Sequence, residues 1–191
     1  MNTRDSITAA TCSIIAEAGL AAVTVGEVAN RAGVSSALVH YHFETKDRLL
    51  RAAATTLSSR RADARAAAWR TGAGLATLDG LWSTLASDSG ERLERAWHDL
   101  ALLARTDGAV RDALAAARLA EHAAAIDALP RLLRELGAKP PVPVEELASV
   151  VSAFVDGLVA QLDEGVSPDV LRTSFGAFWL VLASGGEGPR R

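Results

Sequence analysis

The residues best suited to chemistry are crowded between Thr24 and Leu50, in the stretch TVGEVANRAGVSSALVHYHFETKDRLL. Thr24, Ser35 and Thr45 each stand just before a run of helical period. A hydroxyl at such a place accepts a hydrogen bond from the helix's own first turn and still has a proton to donate. Ser36, His40, Tyr41 and His42 add further donors, and Lys46 puts a cation directly after Thr45. A cation at a helix N-terminus, with hydroxyls nearby, is suited to gripping an anion such as phosphate. It is poorly suited to breaking bonds. Ser, His and Asp occur along the chain, yet none sits on a glycine-flanked elbow that would activate a nucleophile. No enzyme is expected. Cys12 is the single cysteine, so disulfides and cysteine-based metal sites are excluded. It borders an apolar helical face and reads as a small core residue. His98, Asp99 and His122 would make a metal site if they converged, but nothing in their spacing requires it, and neither metal nor cofactor is expected.

The elements that must position these residues are short helices. Ile7, Ala10, Thr11, Ile14, Ile15 and Ala18 share one face of a helix from Asp5 to Ala18, stopped by Gly19. Thr24 and Glu27 have capping-box spacing, with each side chain able to reach the other's backbone N–H. The helix they open buries Val25, Val28 and Ala29 and ends at Ala32, because Gly33 can turn left-handed. Val34 plugs the gap before Ser35 caps a third helix, Ser36 to about His42. Leu38, Val39 and His42 face inward there. Ser36, Ala37, His40 and Tyr41 point outward, small residues first and an aromatic later. Such a face suits entry into a DNA major groove, where small side chains let the helix N-terminus approach base edges. Thr45 caps a fourth helix with neither Gly nor Pro from Asp47 to Thr71.

The full run EVANRAG followed by VSSALVHYHFETKDRLL resembles the TetR family of bacterial transcriptional regulators. Gly19, Thr24, Val28, Ala29, Ala32, Gly33, Val34, Ser35, Val39, Tyr41, Phe43, Lys46, Leu49 and Leu50 fit the family's head pattern. His40 stands where the family usually has tyrosine. Gly26 replaces a longer polar side chain and costs about 1 kcal/mol of helix stability. The resemblance implies an all-α fold of about nine helices: a three-helix helix-turn-helix head joined by a long helix to a C-terminal bundle. It implies a homodimer on a palindromic double-stranded DNA operator, released by a small-molecule effector. Ser36, Ala37 and Tyr41 would face bases, while Thr24, Ser35, His40, His42 and Lys46 would hold the backbone. The expected division is 1–46 for the DNA-binding head, 47–184 for effector binding and dimerisation, and 185–191 as a disordered tail.

The body is read more coarsely. Gly72 and Gly74 flank a break before a helix from Leu75 to Ala86. Asp88–Gly90 reads as a loop, then Glu91 to Arg105 as a helix with Leu93, Trp97, Leu100 and Ala104 on one face. Thr106–Gly108 reads as a second loop. Ala109 to Leu136 is a long helix carrying Val110, Leu114, Leu119, His122, Ile126, Leu129 and Leu133, with Pro130 expected to kink it. Gly137–Pro143 is a linker. Two helices follow, about Val144–Glu164 and Pro168–Ala183, with broad apolar stripes. Trp82, Trp97, His122 and Phe154 are the candidates to line an effector pocket, with Asp156 placing a charge near them, although core filler is the favoured reading of each aromatic. A mostly apolar lining suggests an apolar or aromatic effector. Phe154, Leu158, Phe175, Phe178, Trp179 and Leu182 are candidates for the dimer interface, against complete burial within one subunit.

Net charge is −3, which at first argues against DNA. The distribution is polarised: residues 1–70 carry 9 Lys/Arg against 6 Asp/Glu, and the remainder 11 against 17. Arg51, Arg60, Arg61, Arg65 and Arg70 supply much of the positive end and read equally well as a solvated helix face. No stretch approaches the roughly 18 uninterrupted apolar residues of a membrane span, and no signal-peptide core opens the chain. A cytoplasmic protein is expected. The alternative reading is a helical ligand-binding or scaffold protein whose degenerate head does not bind DNA specifically.

Overall fold

The computed structural model describes residues 2–140 and 142–184. The expectation of a disordered tail at 185–191 lies outside the described residues. All regular structure among the described residues is helical, with nine α-helices and one 3-10 turn at Leu20–Ala22. The helices are α1 (Thr3–Ala18), α2 (Val25–Ala32), α3 (Ser36–Phe43), α4 (Lys46–Arg70), α5 (Leu75–Ala86), α6 (Asp88–Leu103), α7 (Gly108–Glu135), α8 (Val144–Asp163) and α9 (Pro168–Ser184).

The caps define most of the boundaries. Asn2 and Asp5 form a full capping box at the start of α1, which lengthens it beyond the expected Asp5. Thr24 accepts from the Glu27 N–H at 3.1 Å. The reciprocal half of that box does not form; the Glu27 carboxylate lies 3.7 Å from Arg31 instead. Gly33 ends α2 at φ 68°, ψ 33°, a left-handed cap that a side chain would strain. Ser35 accepts from Leu38 N–H at 3.2 Å, and Thr45 from Arg48 N–H at 3.2 Å. Gly72 and Gly74 both take positive φ between α4 and α5.

One expected loop is helical instead. Ser87 caps α6 through a bond from Gly90 N–H, so Asp88–Gly90 form the first turn. The glycine is required there, because a Cβ at position 90 would come within 2.0 Å of the Thr84 carbonyl oxygen. The other expected loop holds at Thr106 and Asp107, where Asp107 accepts from the N–H groups of Ala109 and Val110 and opens α7 at Gly108. The Arg51 guanidinium donates to the same Asp107 carboxylate at 2.8 Å, and that bond holds its pKa below the usual carboxylate range.

The chain forms two compact units, one of residues 1–61 with 92–117 and one of 62–91 with 118–191. Helices α4, α6 and α7 therefore each contribute residues to both, and the division expected at 46/47 falls inside the first unit. In the first unit Ile7, Ile14, Ile15, Val28, Val39, Phe43, Leu49, Ala53 and Leu100 are buried. Ala18, expected on the apolar face of α1, is exposed, because the chain turns away at Gly19. Cys12 is buried, and burial pushes its thiol pKa up to about 11, so it is an inert core residue. In the second unit the core is built from Trp69, Leu129, Leu132, Leu133, Leu147, Val151, Leu158, Leu171, Phe175 and Trp179.

The arginines of α4 do not form the uniformly solvated face expected of them. Arg51, Arg60 and Arg70 are exposed, but Arg61 is 2 % exposed and Arg65 is also buried. In the first unit Arg61 donates to Glu94 of α6 at 2.8 Å, and its guanidinium sits 4.1 Å from the centre of the Trp97 ring. In the second, Arg65 donates to Glu121 of α7 at 3.3 Å and to Asp156 of α8 at 3.1 Å. Asp156 also pairs with Arg118. Burying a guanidinium is costly unless it is paired and hydrogen-bonded, and both are.

The buried stripe of α7 runs Val110, Leu114, Ala117, Glu121, Ala125, Ala128, Leu129 and Leu132. Val110, Leu114, Leu129 and also Leu133 are buried as expected, and the stripe is offset from the expected one only between Leu114 and Leu129. Leu119 is 71 % exposed, and the inward position expected of His122 is held by Glu121. Helix α7 is helical through Pro130. No helix among the described residues is long and apolar enough to cross a membrane.

Candidate nucleic-acid interface and cavity

In the first unit α1, α2 and α3 pack together and present the outer face of α3. Val39 and Phe43 anchor that helix inward. Ser36, Ala37 and His40 are exposed, and Tyr41 is 79 % exposed, its ring edge-on to His42 at 5.2 Å between centroids. Leu38 and His42 are half-buried. At that exposure the Tyr41 ring adds little to the packing of the head. Thr24, Ser35 and Lys46 are exposed as well. Each capping hydroxyl has spent an acceptor lone pair on its helix, which leaves its proton free to be donated to an external oxygen.

The cations of this unit are not equivalent. Arg31 is tied to Glu17 and Glu27, and Arg48 to Glu44. Arg4 lies over the Phe43 ring at 5.3 Å. Lys46, exposed at the first position of α4, has no ion pair among the described residues. It adds its charge to the positive end of the helix dipole. Gly26 on α2 is exposed, with nothing within 4 Å of a Cβ built there.

The second unit holds a cavity of about 40 Å³, lined by α4, α5, α7, α8 and α9. Its walls are Ala68, Trp69, Leu81, Leu85, Ala125, Val151, Val155, Phe175 and Trp179, with Thr84 and Ser152 adding hydroxyls. Arg65 and Glu121 supply a paired charge at one wall. The volume leaves room for a few water molecules and no more.

None of the four residues expected to line a pocket borders this cavity. Trp97 is buried in the first unit beneath Arg61. Trp82 is half-buried, 5.6 Å from the Phe175 ring, and its neighbour Leu81 takes the lining position. Phe154 is stacked on Phe178 at 4.0 Å, while Val151, Ser152 and Val155 face the cavity from the same helix. His122 is half-buried beside the lining residue Glu121. Asp156 does not border the cavity and accepts from Arg65, which does, at 3.1 Å. Asp99, weighed as a metal ligand, accepts from Leu20 N–H at 2.9 Å. No group of three His, Cys, Asp or Glu side chains suited to a metal is gathered among the described residues.

The six candidates for a dimer interface divide in two. Leu158, Phe175 and Trp179 are buried within the subunit, whereas Phe154, Phe178 and Leu182 are half-buried. The exposed sides of α8 and α9 carry other residues: Val150, Ala153 and Gly157 on one, and Val170, Ala177, Leu180 and Val181 on the other.

A three-helix unit with a capped turn, an exposed α3 face and a cation at the next helix start is a helix-turn-helix DNA-binding head. Residues 7–53 match the family model described as bacterial regulatory proteins, tetR family. Beyond that match over the head, the chain has the fold of TetR-family transcriptional regulators. A provisionally assigned TetR-family regulator from Rhodococcus sp. shares 26% sequence identity, with 94% of this chain and 98% of that one covered at a TM-score of 0.71. A TetR transcription regulator from Haloarcula marismortui superposes at a TM-score of 0.75, at 22% identity over 95% of this chain and 97% of that one. A provisionally assigned transcriptional regulator from Saccharomonospora viridis, in complex with choline, matches at a TM-score of 0.73, at 22% identity over 92% of this chain and 94% of that one. Among curated proteins none matches.

Proposed function

We propose that the protein is a cytoplasmic, homodimeric, ligand-responsive repressor of transcription and has no catalytic role. Two heads hold a palindromic operator in successive major grooves, with half-sites about one helical turn or more apart. Ser36, Ala37 and Tyr41 face bases. Thr24, Ser35, His40, His42 and Lys46 hold the phosphate backbone. Residues 47–184 bind the effector and dimerise.

One observation supports ligand response above the others. Helix α4 begins at the phosphate-binding Lys46 and, without a break, supplies Arg65, Ala68 and Trp69 to the cavity wall. At about 40 Å³ the cavity is smaller than a drug-sized molecule needs, so such an occupant must push its walls apart. That displacement gives the two states of α4 different affinities for the occupant, which is what an effector needs in order to shift a population. The apolar walls favour an apolar or aromatic effector, and the choline held by the Saccharomonospora viridis protein supports a small-molecule occupant.

Gly26 favours a second reading, a ligand-binding or scaffold protein with a degenerate head, since a longer side chain there would meet open space. Lys46→Ala separates the two. In the regulator it weakens binding to all DNA about equally and lowers the salt slope by about one per head. Tyr41→Ala costs on the order of 1–3 kcal/mol at the operator and little on unrelated DNA. Both are read by fluorescence anisotropy across a salt series. Unchanged binding in both variants supports the scaffold.

A further inference from the structure

We infer that the effector is a flat, neutral, mainly apolar molecule carrying one hydrogen-bond acceptor, such as a ketone or ester oxygen, and that Trp179 donates to it. The inference rests on the cavity being the effector site.

Trp179 lines the cavity and is only 3 % exposed. Its indole Nε1–H is buried and has no hydrogen-bond partner among the described residues. An indole nitrogen can donate but not accept, so only an acceptor satisfies it. Leaving such a donor buried and unpaired is unfavourable, and native structures rarely tolerate it without a reason. Trp69, Phe175 and Phe178 surround the ring edge-on, at 6.3, 6.2 and 5.5 Å between centroids. They fix its plane, and of these Trp69 and Phe175 also form cavity wall, which suits a flat occupant.

The charges near the cavity argue for neutrality. Arg65 and Arg118 face Glu121 and Asp156, so the charges within this network cancel. A charged ligand would enter an apolar space without a counterion of its own, at a large desolvation cost. A neutral acceptor leaves that charge balance intact and satisfies the buried indole donor.

Acetophenone and ethylbenzene have nearly the same shape and differ in the acceptor oxygen. Titrated calorimetrically into the full-length protein, acetophenone is expected to bind about tenfold more tightly, the ratio of one buried hydrogen bond. Trp179→Phe should abolish the preference, so that the two probes bind with equal affinity whatever that affinity is. Ser152→Ala, which removes the other uncommitted donor of the wall, should preserve the tenfold preference and keeps the test open if Trp179→Phe fails to fold. Equal affinity of the two probes for the wild type overturns the acceptor, and a preference lost in Ser152→Ala but kept in Trp179→Phe overturns the role of Trp179. Binding of neither probe overturns the cavity as an effector site, and with it this inference.

Discussion

Replacing Arg61 with methionine lowers the unfolding free energy by about 3–5 kcal/mol, the usual cost of breaking a buried ion pair from one side. The variant leaves the Glu94 carboxylate buried without the guanidinium that donates to it at 2.8 Å. It also removes the cation from the Trp97 ring. Methionine fills the volume, so the loss is electrostatic rather than a cavity. The double variant Arg61→Met with Glu94→Leu removes both charges and should recover most of the stability, because a well-packed apolar pair often replaces a buried ion pair at little cost. Urea denaturation of the two variants checks this. A single variant as stable as wild type would mean that the pair is not closed in solution. The same logic makes Arg65→Met destabilising, since Glu121 is equally enclosed.

Val181→Glu is expected to convert the proposed dimer to monomers while leaving each chain folded. Val181 is 68 % exposed in the subunit, so a carboxylate there costs the monomer little. In a dimer formed through α8 and α9, two new carboxylates would be pressed together and desolvated. That costs several kcal/mol and weakens association by two to three orders of magnitude, on the order expected for like charges at an interface. The outward residues support close helix packing there: nothing lies within 4 Å of a Cβ built at Gly157 or Gly176. Light scattering reports the mass, and the far-ultraviolet circular dichroism melt reports the fold. An intact dimer would move the interface away from these helices. Phe175→Glu is a poor substitute, because Phe175 is buried and its loss would unfold the subunit before it tested the interface.

The head was legible because its rules are local. Hydroxyl caps at Thr24, Ser35 and Thr45 and the left-handed Gly33 each specify a boundary from a few adjacent residues. The outward face of α3 follows from two inward anchors on a two-turn helix. Helix α5 also begins and ends where glycine and cap residues place it, at Leu75 and Ala86.

The body was less legible, and alanine is the main reason. In the middle of α7 the buried stripe is carried by Ala117, Ala125 and Ala128, which a hydrophobic pattern weights lightly. Reading from Leu119 and Ile126 shifted the register by one and put His122 where Glu121 lies. Arg65 and Glu121 were missed as cavity residues because a charge in a polar-looking helix normally reads as solvated. Their partner charges lie 56 residues apart in the chain, a separation that no local pattern encodes. A signal did exist: arginines one turn apart, on a long helix rich in alanine. Asp88–Gly90 was misread because Asp, Ser and Gly suit both a loop and a capped first turn, and Ser87 decides between them by its bond to Gly90.

The central claim is specific DNA binding by the α3 face and Lys46. It is tested most directly by titrating the full-length protein against the DNA upstream of its own gene and against a scrambled fragment, at several salt concentrations. The account predicts saturable binding to the upstream fragment, protection of two half-sites about one turn or more apart, and affinity that falls steeply with salt. Equal, weak binding to both fragments, with no protected site, would contradict it.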